Sequence, residues 1–124
     1  MLRVSLPTLR VASVIYGLII LSAYLYPGGK MASFDDHYYL KIRGDYFFHC
    51  LVFIPFAMMF LHYARLKGKS MMKFGWLAIL GGACFELLHL IIPNRSFNLF
   101  DMLANVVGVV LGLTLYYIFK KYIS

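Results

Sequence analysis

The residues best able to do chemistry gather in one stretch, Glu86 to Gly112, which reads ELLHLIIPNRSFNLFDMLANVVGVVLG. Glu86, His89, Arg95, Asp101 and Asn105 fall at and around a Pro-containing turn between two apolar runs. An ionisable side chain at mid-helix in lipid costs about 2.5–3.5 kcal/mol on insertion scales, so such residues face a bundle interior, a partner or water. Glu86 is the candidate general acid or base, because a carboxylate this deep in apolar sequence is paired, protonated or poised to exchange a proton. Asp45 and His49 form an i, i+4 pair at the start of an earlier apolar block. The His49 imidazole is the second catalytic candidate, suited to proton transfer, although an intramembrane histidine can also simply bridge helices.

Asp45, His89, Arg95, Asp101 and Asn105 are the candidate substrate-binding residues, and each has a plainer structural use. Arg95 precedes a helix start, where a guanidinium and free backbone N–H groups hold phosphate or carboxylate. It could equally snorkel to water or close the hairpin on Glu86 or Asp101. Asn98 followed by Asp101 resembles a capping box, which would occupy that carboxylate locally. Asn105, one turn deeper, is out of reach of the helix end and is suited to hydrogen-bonding a neighbouring helix. Glu86-x-x-His89 has the i, i+3 spacing of di-iron bundles, and His49 with Asp101 could complete a zinc or iron set. Those bundles use two copies of the pair and only one is present, so no metal and no other cofactor is assigned. No serine or cysteine nucleophile stands beside the cluster, so any catalysis must use water or a substrate hydroxyl, and whether the chain is an enzyme stays open.

The elements that position these residues follow from composition. Hydrophobic residues make up 62% of the 124 and charged residues 14%, against about 45–50% and 25% in a soluble domain. The apolar residues arrive in four blocks, near 9–26, 45–66, 72–92 and 98–119, each close to the roughly 20 residues that cross a bilayer as a helix. A single all-α membrane domain over 1–124, a four-helix bundle, is the expected fold. The first block has Arg3 and Arg10 ahead of it but no convincing small-x-small cleavage site, so it is expected to be a retained span. Pro55 falls inside the second block and is expected to kink it. Residues 30–44 form a polar loop long enough for one interfacial turn of helix.

Basic residues set the orientation, since cytoplasmic loops are enriched in Lys and Arg. With both termini inside, Arg3, Arg10, Arg65, Lys67, Lys69, Lys73, Lys120 and Lys121 lie on the cytoplasmic side against Lys30, Lys41, Arg43 and Arg95 outside. The net charge of +7 therefore reads as a topology signal rather than a nucleic-acid-binding stripe. In this arrangement Asp45, His49, Glu86, His89, Arg95, Asp101 and Asn105 all meet at the extracytoplasmic side, in a polar pocket. Glu86 lies about 10 Å below Pro93 at 1.5 Å per residue. Asp101, Asn105, Gly108 and Gly112 share one face of the last helix, whose Gly108-x-x-x-Gly112 spacing lets backbones approach closely. Tyr24, Tyr26, Tyr38, Tyr39 and Tyr46 near one membrane face, and Trp76, Tyr116, Tyr117 and Tyr122 near the other, would form interfacial aromatic belts, with His62 interfacial beside the second.

At these residues the sequence resembles the VanZ-like family of small bacterial membrane proteins. The shared features are Asp45 and His49 opening the second span, Glu86, the Pro93-x-Arg95 turn, then Asp101-x-x-Ala104-Asn105-x-x-Gly108 and Gly112, across roughly residues 45–112. His89 stands where that family usually has glutamine, and Tyr46 where a lysine often follows the aspartate. The resemblance implies a multi-pass protein of the bacterial inner membrane, linked through the family's founding member to modest teicoplanin resistance. It suggests a role in recognising or modifying a lipid-linked envelope precursor or glycopeptide. Its expected partners are membrane lipids, including a lipid-linked phosphate or a glycopeptide, with a homodimer allowed. The alternatives are a lipid or small-anion transporter or flippase, or a purely accessory interaction protein.

Overall fold

The computed structural model describes residues 5–25, 38–39, 42–93 and 96–122. The four apolar blocks are helices: α1 (Leu6–Leu25), α2 (Gly44–Leu66), α3 (Met71–Leu87) and α4 (Leu99–Phe119). With the 3-10 turn Leu88–Ile91 that extends α3, all four are long and apolar enough to span a membrane. Their surfaces run opposite to those of a soluble bundle. Leu18, Ile19, Leu51, Leu80, Val107 and Val110 are exposed at mid-helix, while His62, Glu86, His89, Asp101 and Asn105 are buried. Only an apolar solvent makes that arrangement favourable.

α2 and α4 make the most extensive contact in the bundle, and glycine is the reason. Gly108 lies against the Cys50 backbone and Gly112 against the Ile54 backbone, where an added Cβ would overlap a carbonyl. This is the close approach expected of Gly108-x-x-x-Gly112. At Gly82 of α3 an added Cβ would come within 2.9 Å of Val109 Cγ2, so α3 and α4 also meet at a glycine. Phe53, Ala57, Ala78, Val109 and Ile20 fill the space between the helices. α1 is the loosest element: of its residues only Leu9, Ile20 and Tyr24 are buried. It is tied to α2 by the Tyr16 hydroxyl, which donates to the Val52 carbonyl at 2.7 Å. That bond sits beside Pro55, which lacks an N–H and so leaves the Leu51 carbonyl without its helical donor; α2 nonetheless runs through Pro55 unbroken.

The α2–α3 connection is a tight turn in which Gly68 takes φ 60° and Ser70 caps α3 by accepting from the Lys73 N–H at 3.4 Å. A left-handed residue at that place is what glycine supplies without steric cost. Between α1 and α2 the described residues form a two-residue antiparallel ladder, Tyr38–Tyr39 against Ile42–Arg43. The third span does not stay α-helical to its end. The Leu88 N–H bonds the Phe85 carbonyl three residues back and the chain tightens into the 3-10 turn. Because side chains three apart eclipse in such a turn, His89 sits directly over Glu86.

Candidate functional site

Four helices deliver polar side chains to one end of the bundle. Tyr24 is the penultimate residue of α1, His49 lies in the second turn of α2, Glu86 ends α3 with His89 just beyond, and Asp101 and Asn105 open α4. Asn105 is the hub. Its Nδ2 donates to the Gly82 carbonyl of α3 at 3.1 Å, which fixes the amide orientation, because that carbonyl can only accept. The Asn105 Oδ1 therefore faces the other way. There it accepts from the Tyr24 hydroxyl at 2.7 Å and from His49 Nδ1 at 2.9 Å, and the Tyr24 oxygen itself lies 2.8 Å from His49 Nδ1. One fully buried amide thus joins α1, α2, α3 and α4.

Glu86 is 0% exposed. Its Oε1 accepts from His89 Nδ1 at 2.8 Å and from the Asn98 backbone N–H at 3.1 Å. The second bond corrects the capping box read from the sequence. Asn98 does cap α4, accepting from the Phe100 N–H at 3.0 Å, but the carboxylate that takes the Asn98 N–H belongs to Glu86 of the preceding helix rather than to Asp101. Glu86 so ties the end of α3 to the start of α4. Asp101 is directed instead towards α2, with its Oδ2 4.0 Å from His49 Nε2. His49, Glu86 and Asp101 each present a ligand atom within 4.8 Å of the others. The side chains of His49 and Asp101 keep 14% and 11% of their surface accessible, so this edge of the cluster is where a small group can enter.

Tyr24 was expected in an interfacial belt and is instead a wall of the site. Its ring stacks on His89, centroids 5.1 Å apart, and meets Phe53 and Phe85 edge-on. At the opposite end Tyr116 and His62 depart from the belt reading in the same way: both are buried, 3.2 Å apart between hydroxyl and Nδ1. Asp45 lies one turn above His49 on α2, where its Oδ1 accepts the Tyr46 N–H at 2.9 Å. Arg95, the expected anion clamp, lies outside the described residues, as do Lys30, Asp35, Asp36, His37 and Lys41 of the polar loop. Away from the cluster, an open groove of about 360 Å³ runs between α1 and α2 at their far end, lined by apolar side chains with Arg10, Ser13 and Tyr63.

A family model described as VanZ/LLP1 matches residues 7–120, which takes in all four helices and every described residue of the cluster. The chain belongs to the VanZ/LLP1 family. Comparison with curated proteins and with solved structures gave no match. Family membership extends the resemblance seen over residues 45–112 to include α1, the helix that supplies Tyr24. Together with the four spans, it makes this chain a multi-pass VanZ-like membrane protein. Tyr24, Gly82 and the Asn98 backbone are the parts of this VanZ-like site that sequence reasoning missed. Of these, Gly82 left a signal, lying in the run of small residues Gly81-Gly82-Ala83 one turn before Glu86.

Proposed function

We propose that the cluster recognises the polar headgroup of a lipid-linked envelope precursor at the extracytoplasmic face of the bacterial inner membrane, with both termini of the chain in the cytoplasm. The observation that supports this reading most is the convergence of His49, Glu86, Asp101 and Asn105 from three helices at one end of the bundle. Carboxylates and an imidazole accept from hydroxyl and amide N–H groups, which sugar and peptide headgroups carry in number. Arg95, four residues ahead of α4 in the sequence, carries the charge that a headgroup phosphate needs. Glycopeptide resistance follows if such binding lowers drug access to the precursor.

Catalysis would assign Glu86 or His49 as the group that moves a proton to or from water or a substrate hydroxyl. Binding alone needs only the hydrogen bonds. The two separate on Glu86→Gln, since a glutamine carbonyl can still accept from His89 and Asn98 while losing the acid–base function. The reading is tested by native mass spectrometry of the protein in nanodiscs holding a polyprenyl-phosphate-linked sugar, the polyprenyl phosphate alone, or neutral polyprenol. Retention of the sugar-bearing lipid over the other two, lost in Asp101→Ala, is the expected result. Equal retention of all three contradicts headgroup recognition, and movement of labelled lipid across proteoliposomes would favour the transporter alternative.

A further inference from the structure

We propose that His49, Glu86 and Asp101 form a binding site for one divalent first-row metal ion of the Zn²⁺ type. Three different helices contribute the three ligands, one imidazole nitrogen and two carboxylate oxygens, all within 4.8 Å of one another. Around a tetrahedral ion with bonds of about 2.0–2.2 Å, ligand atoms lie about 3.4 Å apart, so side-chain shifts of about an ångström close the set.

The hydrogen bonds outside the ligand set decide which nitrogen faces the ion. Asn105 Oδ1, held towards His49 by the Asn105 bond to the Gly82 carbonyl, can only accept, so His49 Nδ1 carries its proton. Nε2 is then the nitrogen left to take a metal ion, and it faces Asp101 Oδ2 from 4.0 Å, beyond hydrogen-bond range. A metal ion between this nitrogen and the carboxylate oxygen would be held by both. A metal-bound histidine whose other ring N–H is held by a carbonyl is also the usual outer-shell arrangement, and it fixes tautomer and ring orientation. His89 has the same relation to Glu86, donating to Oε1 and steadying the carboxylate from outside the set. A dication with two carboxylates and a neutral imidazole has no net charge, which suits a site at membrane depth. Three protein ligands and an accessible edge at His49 and Asp101 leave a coordination position for water or for an oxygen of a headgroup.

This assignment concerns the cavity already proposed to bind lipid, but its test uses the metal alone, so the two fail separately. Tag-free protein in detergent, stripped with chelator, is titrated with Co²⁺ and followed by its visible absorption, then with Zn²⁺ as competitor. The expected result is one equivalent of Co²⁺ per chain, displaced by Zn²⁺, with affinity at least tenfold weaker in His49→Ala and Asp101→Asn. Asn105→Ala, which removes the outer-shell acceptor, should weaken binding by about ten- to a hundredfold. Cys84→Ser, at an exposed thiol, should bind as the native chain does. Circular dichroism establishes that the variants are folded, and Zn²⁺ should raise the melting temperature of the native chain only. Absence of stoichiometric binding by the native chain, or native-like binding by folded His49→Ala or Asp101→Asn, overturns the proposal.

Discussion

Asn105 shows how one side chain can serve structure and site together. Its amide spends one donor on the Gly82 carbonyl and its oxygen on Tyr24 and His49, so its removal leaves several buried groups without a partner. Interhelical hydrogen bonds in membranes average about 0.6 kcal/mol and reach about 1.7, while an orphaned buried polar group costs about 1–3. Asn105→Ala should therefore lower the unfolding free energy by about 1–3 kcal/mol, measured by chemical unfolding in mixed micelles. Tyr24→Phe keeps the ring stacked on His89 and loses only the hydroxyl, so its cost should be smaller, about 0.5–1.5 kcal/mol in the same assay. The types and spacing of Glu86, His49, Asp101 and Asn105 marked them in the sequence because polar residues are rare in apolar blocks. Tyr24 escaped notice for the opposite reason: a tyrosine near a helix end is ordinary at a membrane interface, and only the packing of α1 turns it inward. The partner of the Asn98 N–H escaped because a capping box is a local pattern, and the carboxylate that fills it comes from twelve residues upstream.

At the level of helices, the α2–α4 seam holds His49 in register with Asp101 and Asn105. Gly108 and Gly112 abut backbone atoms of Cys50 and Ile54, next to the His49 turn, so any side chain there pushes the two ligand-bearing helices apart. Gly112→Val should destabilise the protein by at least about 1–3 kcal/mol through overpacking and lower its yield in fluorescence-detected size-exclusion chromatography. Gly17→Ala is the matched control: nothing lies within 4 Å of a Cβ at that position, so it should be neutral or slightly stabilising. All four helices and the glycine seam were legible in the sequence, since block length and small-residue spacing are direct consequences of bilayer thickness and backbone approach. The 3-10 turn after Leu87 was not, because hydropathy continues unbroken to Ile92 and nothing in it distinguishes three residues per turn from 3.6.

For the whole molecule, the account requires the cluster to face outward. An even number of spans puts both termini on one side, and the proposed function takes that side as cytoplasmic, in keeping with the excess of Lys and Arg around Arg65–Lys73 and at Lys120 and Lys121. A C-terminal green fluorescent protein fusion should fluoresce and the matching alkaline phosphatase fusion should be inactive. The reverse pattern would turn the cluster to the cytoplasm and remove its access to the outer leaflet. The apolar exterior, the buried carboxylates and the VanZ/LLP1 match over residues 7–120 give one consistent picture, a membrane bundle whose investment in buried carboxylates is concentrated at a single end. That investment is what function must account for. The most direct measurement compares teicoplanin susceptibility with protein abundance in the membrane for His49→Ala, Asp101→Ala and Asp101→Asn. The account predicts lost protection at near-native abundance; protection that simply follows abundance across all three variants would contradict it and leave the cluster as a structural clasp.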